Sequence, residues 1–254
     1  MAKLSTINKI CLAGIFIVLA MICQKVVAVN YISAIPFLRI SFGGPAIIIF
    51  SSIFLGPWYG LVVGFGSDIF GYFIFDPKNN AFFPQITAIY ALLGFASYFV
   101  FLFSKKIFKE RLMKIIFPVF IAITLASVIS IICLAPKLNL YGGTYVLAMW
   151  QKIVISVSLF TLSVLLFGFV YIFDKKKKSN IDVYRTAFSL LIIEILIMVM
   201  FGTLMKGLAF GFATYPVILL CQIIVLFVNV PLNTIIISFL SDILKRRNYS
   251  IDTL

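Results

Sequence analysis

About eight times along this chain, an apolar run long enough to cross a lipid bilayer is followed by only a short polar segment. A helical crossing takes about 20 mostly apolar residues, set by the thickness of the hydrocarbon core. The runs fall at roughly 8–29, 36–55, 58–75, 86–103, 113–135, 145–173, 186–206 and 213–242. No other stretch is long enough for a water-soluble domain, so residues 1–254 are read as one polytopic membrane domain. Inside lipid, backbone amides must be satisfied within their own segment, which makes spans of this length helical. The expected class is an all-α integral membrane protein with about eight transmembrane helices. A composition of 63% hydrophobic and 11% charged residues leaves no soluble alternative.

The net charge of +13 reports topology. Fifteen of the 21 basic residues fall at the two termini and in the alternate connections around 105–114 and 175–185. That asymmetry is the positive-inside pattern and places both termini in the cytoplasm. A nucleic-acid partner is not expected; the bilayer is. The start, MAKLSTINKICLAGIFIVLAM, imitates a secretory signal, but with seven further spans a retained first helix is expected. Cys11, Cys23, Cys133 and Cys221 all lie in apolar runs without a paired spacing, so they read as packing residues, not a disulfide or metal framework.

Several chemistries are absent. The chain has no histidine, which removes Ser-His-Asp hydrolysis and histidine-ligated metal sites. It has no GxxxxGK[ST] phosphate loop and so is not its own P-loop ATPase. Of only eight acidic residues, Asp68 and Glu194 lie nearest the middle of a span, far apart in sequence. An enzyme, a cofactor and a bound metal are all disfavoured.

Polar and helix-breaking residues concentrate between Phe37 and Gly94. Gly56, Gly60 and Gly64 repeat every four residues, a ridge that lets helix backbones approach closely, and Asp68 lies one turn beyond on the same ridge. Such a carboxylate points toward the bundle, either tying helices together or touching ligand; Tyr72 is a further turn along. Arg39 follows Pro36 near Lys25, Tyr31, Phe37 and Phe42. It either snorkels to the interface or lines an aromatic-walled pocket suited to a flat anionic molecule. The next run opens with Phe82, Phe83, Pro84, Gln85 and Thr87, an interfacial belt or a helix start whose free amides receive polar groups. In the second half, Lys152, Lys206 and Glu194 are the ionisable residues within or near spans, with Lys152 a further candidate for ligand contact. Residues 113–173 and 186–242 read as two helical hairpins turning at NLYGGTY and KGLAFGFATY; a 71-residue offset lays Gln151 on Gln222, a weak suggestion of duplication.

The ordered segments FLRISFGG, FLGPWYGLVVGFGSDIFGYFIF and NAFFPQITAIYALLG resemble substrate-binding S components of energy-coupling factor (ECF) vitamin transporters, especially the folate type. The resemblance covers about residues 8–104. It implies a non-enzymatic protein of the bacterial plasma membrane that captures a folate-like vitamin from outside. A transmembrane scaffold subunit and two ATPases would then energise uptake. By motif match, Arg39, Asp68, Phe83, Pro84 and Thr87 would line or support the site, and Phe42, Tyr72, Gln85 and Lys152 are grouped with them. Ala13, Gly14 and Ala20 of the first helix would face the scaffold. S components typically have six spans, so one of the two later hairpins would be an insertion onto a six-helix core. The competing readings are a self-sufficient secondary transporter or channel for a small polar solute, and a lipid-modifying membrane enzyme.

Overall fold

The computed structural model describes residues 5–26, 43–75, 82–107, 110–134, 138–140, 143–145, 148–176, 183–211 and 215–246. Helix α1 (Thr6–Lys25) starts where the Ser5 hydroxyl accepts the Asn8 amide at 3.3 Å, and Lys25 lies in its last turn. Helix α2 (Gly44–Leu55) cannot extend backward as a helix, because Gly43 has φ of 86°, and Pro45 sits in its first turn. The Gly56 amide closes α2 on the Ser52 carbonyl at 2.9 Å, and α3 (Pro57–Phe75) begins at the next residue. A single residue at φ 111° thus turns the chain through the corner, a conformation that glycine adopts without steric cost.

At 12 residues, or about 18 Å, α2 is shorter than the span expected over 36–55; residues 27–42 lie outside those described. Every α2 residue except Phe54 is buried, and the helix packs against α1, α3, α4 and α9. An apolar helix enclosed on all sides is a core element, which is how α2 is placed.

Helix α4 (Pro84–Ile107) returns along α3, and α5 (Glu110–Leu134) follows. The turn between α5 and α6 (Met149–Lys176) departs from a purely helical expectation. Leu138–Leu140 (β1) and Gly143–Tyr145 (β2) form a short antiparallel ribbon, with Leu138 opposite Tyr145. Residues 183–210 make one helical rod in three parts: α7 (Val183–Ile193), a π segment (Glu194–Phe201) and α8 (Gly202–Phe210). Helix α9 (Tyr215–Arg246), about 48 Å long, packs back along the rod.

Among the described residues, six segments are long and apolar enough to cross a membrane: Thr6–Lys25, Pro57–Phe75, Pro84–Lys106, Met149–Ile172, Val183–Ala209 and Val217–Leu244. Gly44–Leu55 and Lys114–Ala126 are apolar but shorter. Large apolar side chains such as Ile15, Phe65, Phe160 and Phe239 stand exposed in mid-helix. On a soluble protein such a continuous surface would demand a partner, whereas a bilayer covers it. The chain is a multi-pass membrane protein whose described spans are all helical.

One end of the bundle is basic. Lys105 and Lys106 end α4, and Lys114 near the start of α5 lies 3.8 Å from Asp174 at the end of α6. The same ammonium sits 5.6 Å from the Tyr184 ring at the start of α7. Lys9 on the first turns of α1 lies over Tyr59 at the start of α3, at 5.9 Å. The opposite end carries the C-termini of α1 and α3 and the start of α4.

Candidate functional site

Helices α3 and α4 form the most extensive helix pair in the bundle, held in one antiparallel register. Gly60 and Gly94 face each other, and a β-carbon added to either would strike the other's carbonyl. Gly64 faces the Tyr90 carbonyl in the same way. One turn further, the Thr87 hydroxyl donates to Asp68 Oδ2 at 2.6 Å, with both side chains buried. A turn beyond that, the Tyr72 and Phe82 rings meet at 5.1 Å, with Phe73 joining at 5.4 Å from Tyr72.

The order along this seam has a physical logic. Glycines bring the backbones into contact, and only at that separation can a short aspartate reach a threonine across the interface. A charge-assisted hydroxyl–carboxylate bond of this length is worth about 1.5–3 kcal/mol where water is excluded. Toward the end of the seam the side chains enlarge, and the gap fills with aromatic rings.

Helix α1 closes the same end from the side. Gly71 of α3 admits the aliphatic stem of Lys25, whose Cε would lie 3.0 Å from an added β-carbon, with Met21 at 3.4 Å. The stem packs on α3, a common arrangement for a long cation beside apolar surface. Gln24, also buried, fits against Gly44 at the start of α2. On α4, Gln85 is half-buried and its Oε1 is enclosed without a hydrogen bond among the described residues. Pro84 occupies the first helical position, where its missing N–H costs nothing.

Of the residues singled out from sequence, Asp68, Tyr72, Phe83, Gln85 and Thr87 fall on the aromatic half of this seam or at its end. Arg39 and Phe42 lie outside the described residues. Lys152 belongs elsewhere: its ammonium donates to the Cys133 carbonyl at 3.1 Å, in the last turn of α5. A cation there satisfies a helix C-terminus. On α1, Ala13 and Ala20 are buried within the bundle, whereas Gly14 is open, with nothing within 4 Å of an added β-carbon. The outward face of α1 consists of residues such as Ile7, Cys11, Gly14, Ile15 and Val18.

A second polar cluster was not anticipated. Glu194, at the first position of the π segment, is buried and accepts from Asn233 Nδ2 of α9 at 3.2 Å. Asn229, buried one turn earlier on α9, is on the same face as Asn233. The signal was an Asn-x-x-x-Asn spacing inside an apolar helix, which puts two amides on one face. A third polar link, Ser189 to Ser104 at 2.8 Å, ties α7 to α4. Among the described residues, no group of three or more Cys, Asp or Glu side chains forms a metal cluster.

No family model, curated protein or solved structure matches this chain.

Proposed function

We propose that this chain is a membrane-embedded solute-binding protein of the ECF S-component kind. It would capture a flat, folate-like vitamin at the aromatic end of the α3–α4 seam. The reading rests on one observation: residues from three separate sequence segments meet there. They are Lys25 of α1, Asp68 and Tyr72 of α3, and Phe82, Gln85 and Thr87 of α4. Stacked rings, a cation and an enclosed amide oxygen suit an aromatic, heteroatom-rich solute. The site lies at the end opposite the basic connections, which under the positive-inside rule is the outer face of a bacterial plasma membrane, with both termini cytoplasmic. Energy for uptake would come from a separate scaffold subunit and two ATPases, with the open face of α1 around Gly14 as the docking surface. In this arrangement α1, α2, α3, α4, the α7–α8 rod and α9 would form the six-helix core, and the α5–α6 hairpin would be the added element.

Native mass spectrometry of the purified chain tests the reading: a co-purified small molecule is expected, released by Gln85→Ala and by Thr87→Val. A chain that carries no small molecule and binds no pterin or other vitamin in titration would overturn it. A self-sufficient secondary carrier is the second reading, favoured by the buried carboxylate of Glu194. Solute movement by the chain alone in liposomes, driven by an ion gradient, would select that reading.

A further inference from the structure

At the basic end of the bundle, α7 presents one stripe that its neighbours leave partly open. Tyr184 meets Phe117 of α5 at 6.2 Å and Phe188 meets Phe120 at 5.9 Å, so one face of α7 lies on α5. The Ser189 hydroxyl donates to Ser104 of α4 at 2.8 Å, which sets α4 on another face. Successive helical residues are about 100° apart, so Arg185, next to Tyr184 and one turn before Ser189, projects between the two. Ile192, seven residues on, shares that direction. Arg185 and Ile192 are half-buried where the residues on either side of them are buried, and Leu196 beyond them is 50% exposed. Helices α4 and α5 thus leave a groove floored by α7 and open to lipid. Phe103, next to Ser104 on α4, stands 58% exposed beside it.

Cations crowd the head of this groove. Lys105 and Lys106 follow Ser104 at the end of α4 and are exposed, and the Lys114 ammonium of α5 sits 5.6 Å from the Tyr184 ring. Across 105–114 and 174–185 the sequence has ten basic residues and three acidic ones. Topology accounts for basic residues in the connections. It does not account for an arginine within the first turn of α7, on the stripe that continues into Ile192 and Leu196. We propose that the groove holds one anionic phospholipid of the leaflet at the basic end. Arg185, with Lys106 and Lys114 near it, takes the phosphate, and an acyl chain lies along Ile192 and Leu196. A guanidinium matches two phosphate oxygens with its fixed fork of donors. Basic pockets between helices on the cytoplasmic side take anionic headgroups in the same way. A free phosphate would meet the cations but leave the apolar stripe unused, and a zwitterionic lipid would bring its own cation to the head of the groove. The site lies at the opposite end of the bundle from the aromatic half of the α3–α4 seam, and it stands whether or not a vitamin binds there.

The test titrates the full purified chain in neutral detergent with phosphatidylglycerol or with phosphatidylcholine of the same acyl chains, read by native mass spectrometry. One phosphatidylglycerol should bind saturably, and more tightly than phosphatidylcholine. Arg185→Gln should weaken phosphatidylglycerol binding by about fivefold or more, the scale of one basic residue at an anionic lipid surface. Its phosphatidylcholine binding should stay unchanged, which checks that the variant folds. Arg185→Lys should recover part of the loss. Lys175→Gln removes the same charge at the exposed end of α6 and should bind phosphatidylglycerol as the parent does. Equal affinity of the parent for the two lipids would overturn the proposal, as would an Arg185→Gln protein that keeps the parent's preference. Equal losses in Arg185→Gln and Lys175→Gln would also overturn it, by showing a diffuse basic surface. Displacement of the lipid by equimolar inorganic phosphate would do so too, by showing a site for the free anion.

Discussion

Alanine substitution at four glycines tests the α3–α4 register, because the structure divides them into two classes. At Gly14 and Gly168 an added β-carbon meets nothing within 4 Å. At Gly64 it lands on the Tyr90 carbonyl, and at Gly94 on the Gly60 carbonyl. Those obstacles are backbone and cannot rotate aside. Carbon atoms pack at about 3.5–4 Å, so the helices must part by about 1 Å or more to admit either methyl. Overpacking of this kind typically costs about 1–3 kcal/mol. All four substitutions share the gain of replacing a mid-helix glycine, about 0.5–1 kcal/mol. Because that gain is common, the gap between classes is the clash alone, about 1–3 kcal/mol. Equilibrium unfolding in mixed micelles of rising SDS fraction measures it. Gly64→Ala and Gly94→Ala should unfold at lower SDS than the parent's midpoint or near it, and clearly below Gly14→Ala and Gly168→Ala. If all four are stabilised alike, α3 and α4 do not touch at these positions, and the Asp68–Thr87 geometry fails with them.

Other outcomes follow from the same contacts. Thr87→Val should destabilise the protein by about 1–3 kcal/mol, because it removes the hydroxyl that donates to the buried Asp68 carboxylate. In a double-mutant cycle with Asp68→Asn, the two effects should depart from additivity by at least about 0.5 kcal/mol. Under the solute-binding reading, Arg39→Ala should weaken ligand binding by more than about 1.5 kcal/mol, the scale of a charge-assisted hydrogen bond, as read by calorimetry on purified protein. Lys152→Ala should leave that affinity unchanged and lower stability by about 0.3–1 kcal/mol, because its ammonium caps α5.

How much of this was legible in the sequence depends on whether local spacing or helix pairing determined it. The small-residue ridge with Asp68 one turn beyond could be read directly, since Gly56, Gly60, Gly64 and Asp68 repeat at the helical period. What the ridge meets could not be read: Gly94, Tyr90 and Thr87 become its partners only through tertiary register. The start of α2 was written in Gly43-Gly44-Pro45, but hydropathy carried the expected span past it, because apolar content does not register a positive φ. Glu194 was visible as an intramembrane acid, whereas its amides lie 35 and 39 residues away and only the packing of α9 brings them to it. The offset laying Gln151 on Gln222 does not align like with like. Gln151 accepts the Ala148 amide at the start of α6, whereas Gln222 lies buried two turns into α9.

The two polar regions lie on helices that pack directly on one another, α4 against the π segment and α8. Gly202, the first residue after the π segment, packs beside Ile89, whose Cδ1 would lie 3.8 Å from an added β-carbon. Ile89 is two residues from Thr87 on α4. Substituting Glu194 with glutamine replaces the carboxyl with almost no change in shape, so the packing between α4 and the π segment is kept. The non-additivity between Asp68→Asn and Thr87→Val should therefore persist, within about 0.5 kcal/mol, when the cycle is repeated in a Glu194→Gln background. Unfolding midpoints of the eight proteins measure it. A coupling that disappeared with the Glu194 carboxyl would mean that the seam and the π segment form one unit, and the independence of the two regions would be lost.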